Sequence, residues 1–170
     1  MTKVTNPQFD VPQMNYQIWQ DKQLSNKLMQ IKRYPVTIIQ GIIGAGKTTV
    51  LSNVLQNQTF QNVCWYEIKS SITTPTQFWT KVYKSLIVNN LIPEESKGLF
   101  DSNNIYQSLE ILIEDYLLPQ EEEIYLVLDD FEIIKDNQVI LETISYFIEL
   151  SPASIHVVIS SRGQVEFSKL

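Results

Sequence analysis

The sequence predicts an α/β domain, three layers deep in the order α/β/α, built on a mainly parallel sheet. Three observations predict it. Short runs of β-branched and aromatic residues alternate with helical patterns of about ten or more residues, the alternation that parallel crossovers require. One run, "IYLVLDD", is apolar almost throughout, as a strand buried on both faces must be. At 170 residues and 44% hydrophobic, the chain is long enough for one core and too short for two comfortable domains.

The elements follow in order. Residues 1–21 are polar, contain Pro7 and Pro12 and show no sustained period. They read as an extended arm laid against the domain, or as a disordered tail. Residues 22–170 form the domain itself. In "DKQLSNKLMQIKRY" Leu24, Leu28 and Ile31 recur at helical spacing, and Pro35 stops that helix before the strand "VTIIQ". A glycine loop then opens the helix "KTTVLSNVLQN", and "NVCWYEI", Asn62 to Ile68, is the second strand. In "TPTQFWTKVYKSLI", Thr74 is placed as an N-cap, Pro75 at the first helical position and Gln77 where a capping box needs it. Phe78, Trp79, Val82, Tyr83, Leu86 and Ile87 make one apolar stripe on that helix. A second stripe, Ile105, Leu109, Leu112, Ile113, Tyr116 and Leu117, runs along "NIYQSLEILIEDYLL" up to Pro119. Both stripes are core. "IYLVLDD", the helix "NQVILETISYFIEL", a stop at Pro152 and the strand "SIHVVISSR" complete the pattern.

Composition excludes several functions. With 13 Lys and Arg against 19 Asp and Glu the net charge is −6, the wrong sign for gripping nucleic acid through phosphates. A single cysteine, Cys64, rules out an internal disulfide framework and reads as a small buried hydrophobe, and no Cys/His cluster has zinc spacing. No stretch has signal-peptide character or the roughly 20 apolar residues of a membrane span. The expectation is a soluble, cytoplasmic protein with no membrane partner.

The chemistry lies in "TIIQGIIGAGKTTVL". Gly41, four residues, then Gly46, Lys47 and Thr48 satisfy G-x-x-x-x-G-K-[ST], between a strand and a helix as that motif requires. The glycines let the chain curl until successive N–H groups point at a phosphate, and the helix N-terminus adds to the attraction. Gly41, Ile42, Ile43, Gly44, Ala45, Gly46, Lys47, Thr48 and Thr49 are therefore the nucleotide-binding candidates, Ile42, Ile43 and Ala45 through their amides. Lys47 is expected to reach the β- and γ-phosphates, and the Thr48 hydroxyl to ligate Mg²⁺.

Asp129 and Asp130 end the apolar strand, where ligands of open α/β sheets bind. Asp129 is the expected metal-side acid, acting through water, and Asp130 the group that orients an attacking water. Ser160, Ser161 and Arg162 end the last strand, and Arg162 is placed to sense the γ-phosphate bidentately. Lys47, Asp130 and Arg162 are thus the catalytic candidates, and Thr48 and Asp129 the metal candidates. His156, inside its strand, reads as a satisfied core histidine.

Taken in order, "IIQGIIGAGKTTVL", "VCWYEIKSSITTPTQFWTKVYKSL", "YLVLDDFEII" and "HVVISSR" resemble the STAND-type signal-transduction NTPases. Within them they resemble the MalT-like branch of large LuxR-family ATP-dependent transcription regulators, over roughly residues 22 to 162. The resemblance implies a three-layer P-loop NTPase domain working as an ATP/ADP switch, monomeric with ADP and self-associating with ATP. It implies the same roles for Gly41 to Thr48, Asp129, Asp130 and Arg162, and DNA contact only through a domain absent from this chain. Two positions depart from the family pattern. Ala45 stands where an aromatic residue is common, and Phe131 and Glu132 stand where an aromatic-His pair is common. The chain stops eight residues after Arg162. By that resemblance it lacks the fifth strand, winged-helix lid, sensor repeats and DNA-binding domain, and reads as a fragment incomplete at its C-terminal end.

The expected function is a slowly hydrolysing, ATP-binding regulatory switch. Two alternatives stand beside it: a turnover P-loop ATPase or kinase unconnected with transcription, and a nucleotide-holding module for protein association.

Overall fold

The computed structural model describes residues 8–13, 22–56, 60–94, 98–101 and 104–165. Among them the β-rich runs form β1 (Val36–Gln40), β2 (Val63–Glu67), β3 (Ile124–Asp129) and β4 (Ile155–Ser161). All pair in parallel, in the order β1-β4-β3-β2. The last strand in sequence is therefore threaded between the first and the third. β3 and β4 are buried at every position, as their continuous apolar sequences require of central parallel strands.

Helices cover both faces, so the three-layer α/β/α architecture holds. The helices are α1 (Lys22–Leu28), α2 (Lys47–Leu55), α3 (Pro75–Val88), α4 (Ile105–Ile111) and α5 (Gln138–Leu150). Successive strand residues point to opposite faces, which splits the core in two. Leu28, Leu51 and Leu55 from α1 and α2 meet Trp65, Tyr125, Val127 and Val158 on one side. On the other, Phe78, Trp79, Leu109, Ile144 and Phe147 from α3, α4 and α5 meet Cys64, Tyr66, Leu126 and Ile159. Cys64 is a buried hydrophobe.

Local chemistry sets the helix starts. Thr74 and Gln77 form the reciprocal capping box, with Pro75 in the first turn of α3. Asn104 and Asn137 cap α4 and α5 through their side-chain oxygens. Residues 8–13 lie against the domain. The ring of Phe9 is buried beside Tyr66, the Gln8 carbonyl accepts the N–H of Glu67, and the Pro12 carbonyl accepts from Ser52 and Gln56. The remainder of the expected arm, and everything after Val165, falls outside the described residues.

Several details differ from the sequence reading. The first helix is short: Met29–Arg33 tighten into a 3-10 turn, and of the expected stripe Leu28 and Ile31 are buried while Leu24 is exposed. From Leu112 to Leu117 the fourth helix widens to i→i+5 bonding, seen in the N–H of Leu118 donating to Ile113. Ile105, at the start of the helix, and Tyr116, inside the widened segment, are only half-buried. His156 is buried but half satisfied. Its Nδ1 lies 2.9 Å from the Tyr34 carbonyl, which can only accept, so Nδ1 carries the proton. Nε2 has no hydrogen-bond partner and sits 3.9 Å from the Glu123 carboxylate, while the ring stacks on Tyr125.

One polar contact crosses the larger core. The Trp79 indole N–H donates to the Thr143 hydroxyl at 2.8 Å, with both residues buried, and the indole packs against Phe78, Phe100 and Phe147. Thr143→Val keeps the shape and orphans the indole N–H. It is expected to lower stability by about 1–3 kcal/mol in urea unfolding; no change would show that the pair contributes nothing net.

Candidate functional site

Parallel strands end on the same side of a sheet, so the loops after β1, β3 and β4 converge. Two ladder hydrogen bonds run past the strand ends and fix those loops. The N–H of Gly41 donates to the carbonyl of Ser161, and the N–H of Ile68 to that of Asp129. Gly44 and Gly46 adopt positive φ, 76° and 74°, which curls the loop after β1 into a cradle. An L side chain there is strained by roughly 1–2 kcal/mol.

A cavity of about 210 Å³ opens in the cradle, lined by Ile43, Gly44, Ala45, Gly46, Lys47, Thr48, Thr49, Asp129, Asp130, Glu132, Ser160 and Arg162. Residues distant in sequence but singled out for one chemistry thus line one space. Gly41 and Ile42 do not line it. They line an adjoining open cleft of about 650 Å³ with Gln40, Ile43, Arg162, Gly163 and Gln164, and the tips of Ile42 and Ile43 are 81% and 76% exposed. The side chain of Ser161 is likewise outside the cavity; its hydroxyl is buried without a partner.

The hydrogen bonds show what each group does now. The Lys47 ammonium folds back to donate to the carbonyls of Gly41 and Ile42, at 2.8 and 3.2 Å. The Thr48 hydroxyl donates to Asp129 at 3.1 Å from Oδ2, and Asp129 also accepts the N–H of Asp130 at 3.0 Å. Asp130 is held in the left-handed region, φ 55°, at the start of the turn Phe131–Ile133. Its carboxylate lies 3.3 Å from Nη2 of Arg162. The Nε of Arg162 lies 3.0 Å from Glu132, and its backbone N–H donates to the other oxygen of the same carboxylate, also at 3.0 Å.

Glu132 is the residue that sequence reasoning missed. Its only signal there is position, two residues after the acid pair, where the resembled family carries a different side chain.

The donor set fits polyphosphate with a hard cation. Gly46 stands at the N-cap of α2 and offers no side-chain cap, so the helix N-terminus opens on the cavity. A carboxylate and a hydroxyl meet at Asp129 and Thr48, as Mg²⁺ needs when it takes few protein ligands. Among the described residues no group of three His, Cys, Asp or Glu able to hold a metal ion occurs. The cavity is smaller than the ~300–1,000 Å³ of whole-ligand pockets. It is sized for the phosphate end of a ligand.

Comparison with known proteins places the chain. Residues 14–162 match the family described as Nephrocystin 3, N-terminal. A chain in a structure of Drosophila ORC bound to DNA matches with a TM-score of 0.53 at 17% identity, covering 90% of this chain and 47% of that one. A structure of C. elegans PCH-2 gives 0.43 at 14% identity, covering 88% and 37%. This chain therefore spans about half the length of the first of them. No curated protein matches the sequence significantly. The fold is P-loop NTPase-like. The matched family is not the MalT-like branch, and none of these comparisons bears on transcription. Among the described residues no helix is long and apolar enough to cross a membrane.

Desolvation by burial raises the pKa of Asp130, helped by the nearby charges of Asp129 and Glu132 and opposed by Arg162. A carboxyl raised in the folded state favours its protonated form. Its ionisation therefore costs stability as the pH rises through the carboxylate range, and the cost persists at neutral pH. Asp130→Asn removes the charge and tolerates the left-handed backbone. It is expected to raise the thermal midpoint at pH 7, with the gain shrinking to nothing below the ordinary aspartate range. A lower midpoint at pH 7 would mean that the Arg162 pair outweighs the burial.

Proposed function

The chain belongs to the nephrocystin 3 N-terminal family, and on that premise we propose that it is a nucleotide switch domain, binding ATP or ADP with Mg²⁺ and hydrolysing ATP slowly. The observation that carries this reading is the meeting of the glycine cradle, the Thr48–Asp129 pair and Arg162 in one cavity.

In this reading the bound nucleotide supplies the phosphate to be cleaved and Mg²⁺ supplies charge neutralisation. The chain's own residues do the rest. Backbone N–H groups of Gly44 and of Gly46 to Thr48, at the N-terminus of α2, would hold the phosphates, with Thr49 a weaker contact; the Ala45 N–H, expected to join them, is instead given to the Ile42 carbonyl at 3.2 Å. Lys47 leaves the Gly41 and Ile42 carbonyls to place its charge on the outer phosphates. Thr48 and Asp129, already hydrogen-bonded to each other, would hold the ion. Asp130 orients water, and Arg162 reports the terminal phosphate.

Before a nucleotide arrives Asp130 is engaged by Arg162, so it becomes free to act only when that cation moves. A switch resets by slow hydrolysis and is biased by whatever binds one of its states better. The finer reading, an N-terminal part of a larger transcription regulator that self-associates in its ATP state and meets DNA through another domain, rests on the sequence resemblance alone. The competing turnover ATPase or kinase has one observation in its favour. The open cleft beside the cradle shares Ile43 and Arg162 with it, where a second substrate could lie. Rapid hydrolysis without any effector, or transfer of phosphate to an added acceptor, would decide for that reading.

Lys47→Ala is expected to abolish measurable Mg·ATP binding in calorimetry; unchanged affinity would refute the cradle assignment. Asp130→Asn is expected to keep binding and slow single-turnover hydrolysis by on the order of 10²–10⁴. Equal rates would remove Asp130 from the chemistry.

A further inference from the structure

Both oxygens of the Glu132 carboxylate are given to a single residue 30 positions later in the chain. Oε2 accepts the backbone N–H of Arg162 and Oε1 faces its Nε, each at 3.0 Å. Glu132 is presented by a turn that has little freedom to move. Phe131 just before it and Ile134 two residues after it are buried, with Ile133 between them exposed, and the N–H groups of Ile133 and Ile134 bond back to the carbonyls of Asp130 and Phe131. The Arg162 side chain is half exposed, 48%, while the Glu132 side chain is 20% exposed.

The two carboxylates on Arg162 are therefore not equivalent. Asp130 meets one Nη at 3.3 Å through a single solvent-accessible contact, the kind of pair that water and competing anions readily replace. Glu132 fixes backbone and side chain together. Because the guanidinium is a rigid plane, pinning its Nε edge determines where the Nη edge can point. Resting on the nucleotide reading above, we infer that Glu132 is the positioning residue for Arg162. It acts as a pivot that holds the Nε edge, so that the Nη edge exchanges between Asp130 and a terminal phosphate. Movement of that edge both reports the phosphate and frees the Asp130 carboxylate. ADP, one phosphate shorter, leaves the Arg162–Asp130 pair closed.

The test measures Mg·ATP and Mg·ADP affinities by calorimetry on the 170-residue chain for wild type, E132A, E132Q, R162A and the E132A/R162A double variant. E132A and R162A are each expected to reduce the preference for ATP over ADP about tenfold, the worth of one charge-assisted hydrogen bond, with ADP affinity held within about twofold. The double variant is expected to match R162A alone, because Glu132 acts only through Arg162. E132Q keeps one acceptor oxygen, so it is expected to fall between wild type and E132A, and it carries the comparison if E132A does not fold. An unchanged preference in the glutamate variants, or an additive loss in the double variant, overturns the role of Glu132 and leaves the nucleotide reading standing. R162A without effect overturns the sensing role of Arg162 and that of Glu132 with it. A wild-type chain that binds neither nucleotide overturns the nucleotide reading itself.

Discussion

Everything at the site depends on β4 running between β1 and β3. Parallel pairing on both sides of β4 puts three strand ends on one rim, and the loops that leave them carry the cradle, the acid pair and Arg162. The register makes this close enough to matter. Gln40 sits opposite Ser161, so the first glycine of the loop bonds to the carbonyl just before Arg162. Had β4 been added at an outer edge, Arg162 would lie at least one strand spacing, ~4.8 Å, further from the cradle or the acids. The apolar character of β3 and β4 is what keeps them central, since only strands buried on both faces profit from burying every residue.

Much of this is legible in the amino-acid order. "VTIIQ" and "IYLVLD" are the observed β1 and β3, and Thr74, Pro75 and Gln77 start α3 as their spacing requires. These are local properties, settled within a few residues. The P-loop is legible for the same reason, because its glycines, lysine and threonine are contiguous and its neighbours are a strand and a helix. What the sequence conceals is non-local. The order β1-β4-β3-β2 depends on competition among four apolar strands for the centre, and no residue taken alone encodes it. The widened turn Leu112–Leu117 that continues α4 changes the period inside a run that fits a helix either way. The clamp of Glu132 on Arg162 joins two loops only because β3 and β4 are neighbours, which is a property of the sheet.

The electrostatics of the cradle follow from the same adjacency. Three carboxylates, Asp129, Asp130 and Glu132, share the cavity with two cations, Lys47 and Arg162. For a site read as binding a polyanion this is an unfavourable balance, and it adds to the burial that raises the pKa of Asp130. The hydrogen bonds show how the fold tolerates it. Asp129 is satisfied by the Thr48 hydroxyl and a backbone N–H, while Asp130 and Glu132 divide Arg162 between them. Lys47 is left to carbonyls and pairs with none of the acids in this arrangement. Its charge is therefore the one most available to an arriving phosphate, whereas Arg162 has to be drawn away from a carboxylate. A phosphate that reaches only Lys47 and the loop amides disturbs no ion pair. One that reaches Arg162 must compete with Asp130, and in doing so it changes the charge environment of two strand-end loops at once. On the nucleotide reading, that difference is the physical basis for telling a triphosphate from a diphosphate. It comes from how the acids are arranged around Arg162, a feature that the glycine loop alone does not contain.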